Sequence, residues 1–245
     1  MSAKRRWVGI ADDWLALLAL VGFLLAIVAV PTFPTRAFAA DDKQEAEQLV
    51  EKARFALEDF MSDKNMDAFH DLITRAKGIY IAPQVLKGAF IIGASGGTGV
   101  LFAWDEKTGQ WAGPAFHTLG SASFGLQIGG QASEVILVAM TDRGVTALLA
   151  NSLKLGADVG VAAGPVGAGM AASTANLSAD ILSFARSKGL YGWLSLDGAV
   201  MAVRGSLNDA YYGKKVTPTD ILVRREVSNP QAGGLLQSVR KATGK

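Results

Sequence analysis

Residues 88–138 read GAFIIGASGGTGVLFAWDEKTGQWAGPAFHTLGSASFGLQIGGQASEVILV. The stretch is apolar, dense in glycine and almost uncharged, and His117 is its only histidine. Its side chains alternate with period 2, the period of a β-strand. Phe90–Ala94 and Val100–Trp104 are predicted strands, with a glycine-rich turn or bulge between them. Asp105-Glu106-Lys107-Thr108-Gly109 is a turn, and Gln110–Phe116 returns. With the loop at Glu106–Gly109, Trp104 faces Trp111, and such aromatic pairs stabilise a hairpin by roughly 0.2–1 kcal/mol. Ser121–Ile128 alternates strictly, with Ala122, Phe124, Leu126 and Ile128 on one face. Val135–Met140 is continuously apolar, as in a strand covered on both faces.

Working outward, residues 43–61 carry a helical pattern. Ala46, Leu49, Val50, Ala53, Leu57, Phe60 and Met61 form its apolar stripe. The opposite face leans acidic, through Glu45, Glu47, Glu51, Glu58 and Asp59. That face suits a helix laid on a sheet better than one bound to an anionic membrane. A second helix is predicted over Met66–Lys77, with Asn65 as N-cap, Gly78 at its C-terminal end and His70 on its surface. Beyond residue 140 the pattern gives a short helix at 143–152, then glycine- and alanine-rich strands at 155–163 and 166–172. Clearer strands follow at 181–186 and 190–196. Asp197-Gly198 has the composition of a type I′ hairpin turn. Ser206 is a candidate cap for a short helix that ends at Gly213, and 235–241 is a terminal helix. The fold class read from this order is α+β: a glycine-rich, mostly antiparallel, curved or barrel-like sheet with an N-terminal helical pair packed on it. The domain limits are residues 1–39, then 40–230 (helical pair 40–78, β-rich part 79–230), then a helical tail at 231–245.

Residues 1–39 carry the marks of an export segment. Lys4, Arg5 and Arg6 precede the apolar run Trp14–Val30, and Ala37-Phe38-Ala39 is an A-x-A signature that places cleavage after Ala39. The alternative is an uncleaved anchor at residues 14–30, whose length lies at the lower limit of a membrane span. Both readings put the domain in the periplasm or cell envelope. They also change the charge argument. The chain has 24 Lys+Arg and 22 Asp+Glu, and removing residues 1–39 leaves 20 of each. A globally basic nucleic-acid binder is therefore not expected. The absence of cysteine excludes disulfides, thiolate metal sites and thiol nucleophiles.

The motifs that resemble catalytic ones lack their context. Gly93-Ala94-Ser95-Gly96-Gly97 matches a nucleophile elbow, but a strand follows it where that motif needs a helix. The same glycines lack the Lys-Ser/Thr of a phosphate loop. Gly164–Gly169 lacks the strand-then-helix setting of a dinucleotide site. The two histidines give no metal signal. The reading is a non-enzymatic protein with no cofactor. The remaining chemical feature is basic: Lys214, Lys215, Arg224, Arg225, Arg240, Lys241 and Lys245. If these converge they form a site for lipid head-group phosphates; otherwise they are a solvated edge and tail. Lys77 and Lys87, which flank the entry to the sheet, are further candidates.

An ordered set of pieces resembles the SYLF domain family. It comprises Gly78–Pro83, Lys87–Phe90, Gly93–Gly99, Trp111–Phe116 and Gly125–Gly129. It continues through Leu155–Asp158, Gly164–Gly167, Gly189–Trp193 and Tyr212-Gly213 to Ile221-Leu222. The resemblance covers nearly all of residues 45–225. It implies a lipid-binding module, associated in eukaryotic members with phosphoinositides and actin-patch regulation. For an exported chain it implies an anionic phospholipid or membrane surface as partner, and the candidate contacts are the basic residues read above, Lys214, Lys215, Arg224, Arg225, Lys77 and Lys87. The alternative function is a structural or protein-interaction module that docks another envelope protein.

Overall fold

The computed structural model describes residues 35–89, 92–124, 129–167, 178–187, 190–191, 196 and 198–245. Of the export segment read at residues 1–39, residues 1–34 lie outside them. Residues 39–245 form one compact unit; residues 1–38 form another, described only at its helical C-terminal end.

Two helices open the described chain, α1 (Thr35–Ser62) and α2 (Asp67–Ile73). Four long strands follow: β1 (Gly78–Ala89), β2 (Ile92–Asp105), β3 (Gln110–Phe124) and β4 (Gly129–Ala139). The rest alternates: α3 (Asp142–Leu148), β5 (Ser152–Lys154), β6 (Val161–Ala163), β7 (Ile181–Ser187), β8 (Leu190–Tyr191) and β9 (Val200–Val203). The chain ends on α4 (Gly205–Tyr212), α5 (Pro218–Leu222) and α6 (Gly233–Thr243). The strands make one sheet in the order β5-β9-β3-β2-β1-β4-β7-β6, with β8 also on β7. Every pairing is antiparallel except β6 with β7. The sheet is a half-barrel, so the α+β reading with a curved antiparallel sheet holds.

Alternation along the strands builds two cores. Ile79, Ile81, Val100, Phe102, Ile136, Val138 and Phe184 point to one face, where they meet Leu57, Phe60, Phe69, Leu207 and Leu235 of α1, α2, α4 and α6. Tyr80, Leu101, Val135, Leu137 and Ile181 point to the other, against Leu148, Leu153, Met201 and Ile221. Each such side chain, fully buried, contributes roughly 1.5–3 kcal/mol. Cover on both faces is why Val135–Ala139 contains no polar residue. The predicted Trp104–Trp111 pair is present, with ring centroids 5.6 Å apart.

Several local expectations change. Gly93–Gly99 is neither turn nor bulge; it lies inside β2, and β1 reaches Ala89. The irregularity sits in β1, where the register shifts in both pairings between Ile81 and Leu86. Pro83 lies there and cannot donate to the ladder. An added Cβ on Gly97 would overlap the Gln84 carbonyl oxygen, and one on Gly99 the Ile81 carbonyl oxygen. These two glycines accommodate the kinked neighbour. β3 runs unbroken through the two predicted strands as far as Phe124, and the register of Gly125–Ile128 lies outside the described residues.

The second helix stops at Ile73, because Lys77 already joins the sheet: its N–H donates to Ala139 O and its carbonyl accepts from Trp104 N. Asn65 does not cap that helix but bonds Asp63. His70 is no idle surface residue, since its Nε2 lies 3.0 Å from Phe60 O and ties α2 to α1. Helix α4 ends at a left-handed Gly213 as expected, but Arg204, not Ser206, occupies its N-cap. In place of one strand over 155–163 the chain forms β5, a turn bridging Leu155 and Val159, and β6. Most of the strands read at 166–172 and 190–196, and Asp197 of the hairpin turn, lie outside the described residues.

Candidate functional site

Three of the basic candidates, Lys77, Arg224 and Arg225, are paired with carboxylates. Lys77 places Nζ 2.9 Å from Glu106 Oε1 and 2.9 Å from Asp142 Oδ1. The hydrogen bond to Glu106, then that to Asp142, raises its pKa. It fastens the β2–β3 turn to the start of α3. Arg225 serves the same turn from the other end of the chain. It lies 3.1 Å from Asp105 Oδ2, and it donates to Thr108 Oγ1 at 2.6 Å and to Gln110 O at 3.0 Å. It holds a φ of 57°, and its Nε is buried without a partner. Arg224 spans Asp220 at 2.9 Å and Glu226 at 3.9 Å, and Asp220 also completes the Thr217 capping box of α5. The structure thus brings Lys77 and Arg225 together, but as clamps already matched to carboxylates.

Lys214 and Lys215 follow the Gly213 cap, exposed and without an ionic partner among the described residues. Lys87 is partly exposed and likewise unpaired. Its cross-strand neighbours are Ser95 and Gln131. Ser95 Oγ shares a 2.7 Å hydrogen bond with Ser121 Oγ in mid-strand. No helix starts beside Ser95, so the nucleophile-elbow geometry is absent there. Among the described residues no cluster of His, Asp or Glu can hold a metal.

A different feature stands out at the end of the sheet that the helices do not reach. One cross-strand row runs Ala132–Leu86–Gly96–Gly120–Val200–Lys154. Directly paired residues share a face, and this is the face that carries Val100 and Phe116 under the helices. Four large apolar side chains stand exposed among the described residues: Phe55, Leu86, Val200 and Val223. Two of them are in this row, Leu86 at 56% and Val200 at 42%. Between them lies the glycine pair. An added Cβ would come no closer than 3.8 Å to Leu119 O at Gly96, and 3.7 Å to Ser95 O at Gly120. Neither glycine has a positive φ. Unlike Gly97 and Gly99, these two have no internal reason to be glycine. Glycine weakens a strand, and it occurs where another molecule approaches the backbone closely. Ala94 and Ala122, the next pair out, are also exposed.

A second concavity lies between α1 and α6. The helices approach where Gly234 faces Arg54, and Ser238 Oγ donates to Glu58 at 2.9 Å. Beyond that contact opens a groove of about 350 Å³ between Leu57 and Met61 on one side and Lys241 and Ala242 on the other.

Two polar groups escaped the sequence reading. Arg186 of β7 meets Glu134 of β4 at 2.8 Å and Asp59 of α1 at 2.7 Å, which locks α1 to these two strands. His117 is buried at 1% exposure, its Nε2 has no partner, and burial depresses its pKa to about 4. Nothing in the local pattern marks either one, because their partners or cover come from distant segments.

Comparison with known proteins places this architecture. The family model described as "Ysc84: Las17-binding protein actin regulator" matches residues 120–242, half of the chain. The chain belongs to the Ysc84 family. This is the family that the SYLF resemblance indicated. Among Ysc84 relatives, the human SH3 domain-containing YSC84-like protein 1 is 30% identical over 176 residues, covering 71% of this chain and 51% of the relative. Protein YSC84 of Saccharomyces cerevisiae is 31% identical over 171 residues, covering 68% of this chain and 36% of the relative. LAS seventeen-binding protein 3 of the same species is 30% identical over 160 residues, covering 63% and 34%. The chain thus spans about half the length of the human relative and about a third of the yeast ones.

Proposed function

We propose that the domain is a non-enzymatic docking module whose partner is a protein, seated through an apolar surface on the open end of the sheet. One observation carries this reading: the Leu86–Gly96–Gly120–Val200 row, exposed at Leu86, Gly96 and Val200, whose glycines would take a Cβ at ordinary contact distance. The family adds support, since its description and one yeast relative's name specify binding to another protein, Las17. A flat floor without charge suits backbone or small-side-chain contact, and the flanking Leu86 and Val200 supply apolar anchors. Leu86→Lys is expected to abolish recovery of a stoichiometric partner in affinity purification. Val223→Lys, which alters an exposed valine elsewhere, is expected to preserve it. Equal recovery with both variants would refute this placement.

A second reading, contact with anionic phospholipid, rests on Lys214 and Lys215, two adjacent exposed cations without ionic partners among the described residues. On this reading the domain acts at the cell envelope, and Lys87 is an accessory contact. Co-sedimentation with phosphatidylglycerol vesicles should then fall steeply with salt and with Lys214→Ala/Lys215→Ala. Arg225→Ala is not a usable lipid-binding probe, because it also releases the β2–β3 turn. Unchanged vesicle binding in the double lysine variant would exclude this patch.

A further inference from the structure

We infer that the partner protein is seated through an extended strand, added in line with β9 to the edge of β3 at Ser121–Phe124. The inference rests on the protein-docking reading and names how the partner is held at that end of the sheet. The backbone geometry locates the site. Phe116 turns its N–H and carbonyl toward the β9 side, where the N–H donates to Asn208 Oδ1 at 2.9 Å and the carbonyl accepts from Arg204 N at 2.9 Å. Alternate residues of a paired strand send their backbone groups to the same side. The β2–β3 register is unbroken from Phe116 to Phe124, so Thr118, Gly120, Ala122 and Phe124 face that side as well. β9 pairs Ala202 with Thr118 and Val200 with Gly120. Among the described residues no strand pairs with β3 on this side beyond Gly120. The segment before Val200 turns away, because Gly198, at a φ of 80°, and Ala199 bond Leu155 instead. Ala122 and Phe124 therefore direct their N–H and carbonyl groups outward.

Edge chemistry decides the occupant. A row of unpaired N–H and carbonyl groups matches another extended backbone. Proteins blunt such edges with short strands, charged residues or proline. The outer strands of this sheet follow that rule: β5 and β6 have three residues each, and β5 ends on Lys154. Leu119–Phe124 carries neither charge nor proline. Ala122 is exposed, as is Ala94 directly across from it on β2. The face beside the edge is thus shallow, and large side chains fit at alternate positions of the added strand. Ala122 lies two residues beyond Gly120 on the same face, so the added strand abuts the glycine row. The complementary partner segment is extended, uncharged and rich in β-branched or aromatic residues.

The test uses the full chain labelled with ¹⁵N and an acetylated, amidated hexapeptide of alternating threonine and valine. The control is the same peptide fully N-methylated, which has no backbone donors. With the plain peptide, hydrogen exchange of the Ala122 amide should slow about tenfold once nine-tenths of the sites are filled. The Ser123 amide, which points to β2, should not change, and the N-methylated peptide should affect neither. Ala122→Pro removes an outward N–H and is an edge proline, which a sheet tolerates. It should keep the fold, read by thermal unfolding, and weaken peptide binding about fivefold through the lost hydrogen bond. Where that variant does not fold, the two peptides on the wild-type chain decide alone. No slowing at Ala122, equal slowing with both peptides, or unchanged affinity in folded Ala122→Pro overturns the inference. So does slowing that grows with protein concentration in the absence of peptide, which seats a second copy of the chain on the edge. Leu86→Lys tests the apolar face and the Ala122 amide tests the edge, so the docking reading and the strand addition fail separately.

Discussion

Replacing Gly96 and Gly120 by threonine is expected to make the domain more stable and to weaken the proposed docking. The two positions are directly paired across β2 and β3, and the next pair inward is already Thr98 with Thr118. Threonine at both extends that ladder. A glycine removed from a strand returns roughly 0.5–1 kcal/mol, and a threonine cross-strand pair adds roughly 0.2–1 kcal/mol. At neither position would an added Cβ meet an internal atom closer than ordinary contact distance. A gain of about 2 kcal/mol corresponds to a rise in Tm of about 4–8 °C in a domain of this size. The same side chains fill the trough between Leu86 and Val200, so partner affinity should fall by at least about tenfold, about 1.4 kcal/mol. Thermal unfolding and partner titration on the same preparation check both signs. A variant that is stabilised and still docks would mean that the glycines face plain solvent.

The second large effect is a pH dependence centred on His117. In the unfolded chain its imidazole has an ordinary pKa of 6.5; in the folded protein burial lowers it to about 4. Above pH 6.5 the ring is neutral in both states and adds no pH dependence. Between pH 6.5 and 4 the unfolded chain takes up a proton that the folded one refuses, so stability falls as pH falls. The loss approaches about 3 kcal/mol by pH 4. His117→Leu removes this contribution and the unpartnered Nε2 together. The variant is expected to match or exceed the wild type at pH 7 and to exceed it by about 2–3 kcal/mol near pH 4.5. Urea unfolding at a series of pH values reads the difference directly. The comparison with wild type matters because Asp105 and Asp220, whose pKa values are depressed, also destabilise the fold in acid, whereas Glu134, raised by burial, acts in the opposite sense. Parallel wild-type and variant curves would show that His117 is hydrated or charged in the native state.

What could be read from the sequence was what depends on near neighbours. The β2–β3 hairpin was legible because its turn, its period and its two tryptophans lie within a dozen residues. The layered core was legible from the unbroken apolar run at 135–139, which needs cover on both faces. The roles of Lys77 and Arg225 were not. Both were read as free cations, yet their carboxylates come from turns and helices that only the folded chain brings near. The glycines illustrate the same limit more sharply. In sequence, Gly96 and Gly97 are adjacent and equivalent. In the fold Gly97 faces the kinked β1 backbone at Gln84, while at exposed Gly96 an added Cβ would meet nothing closer than Leu119 O at 3.8 Å. The β1 irregularity around Pro83, which brings the Gln84 carbonyl against Gly97 and not against Gly96, is what separates the two.

The central claim is that the open end of the sheet is the docking face. The most direct measurement places a photo-crosslinking amino acid at position 86 in the full chain, with position 223 as the control, and weighs the adducts by mass spectrometry. The account predicts a discrete protein adduct from position 86, absent from position 223 and lost when Gly96 and Gly120 are threonine. Adducts of lipid mass alone at position 86, or the same protein adduct from both positions, would contradict it.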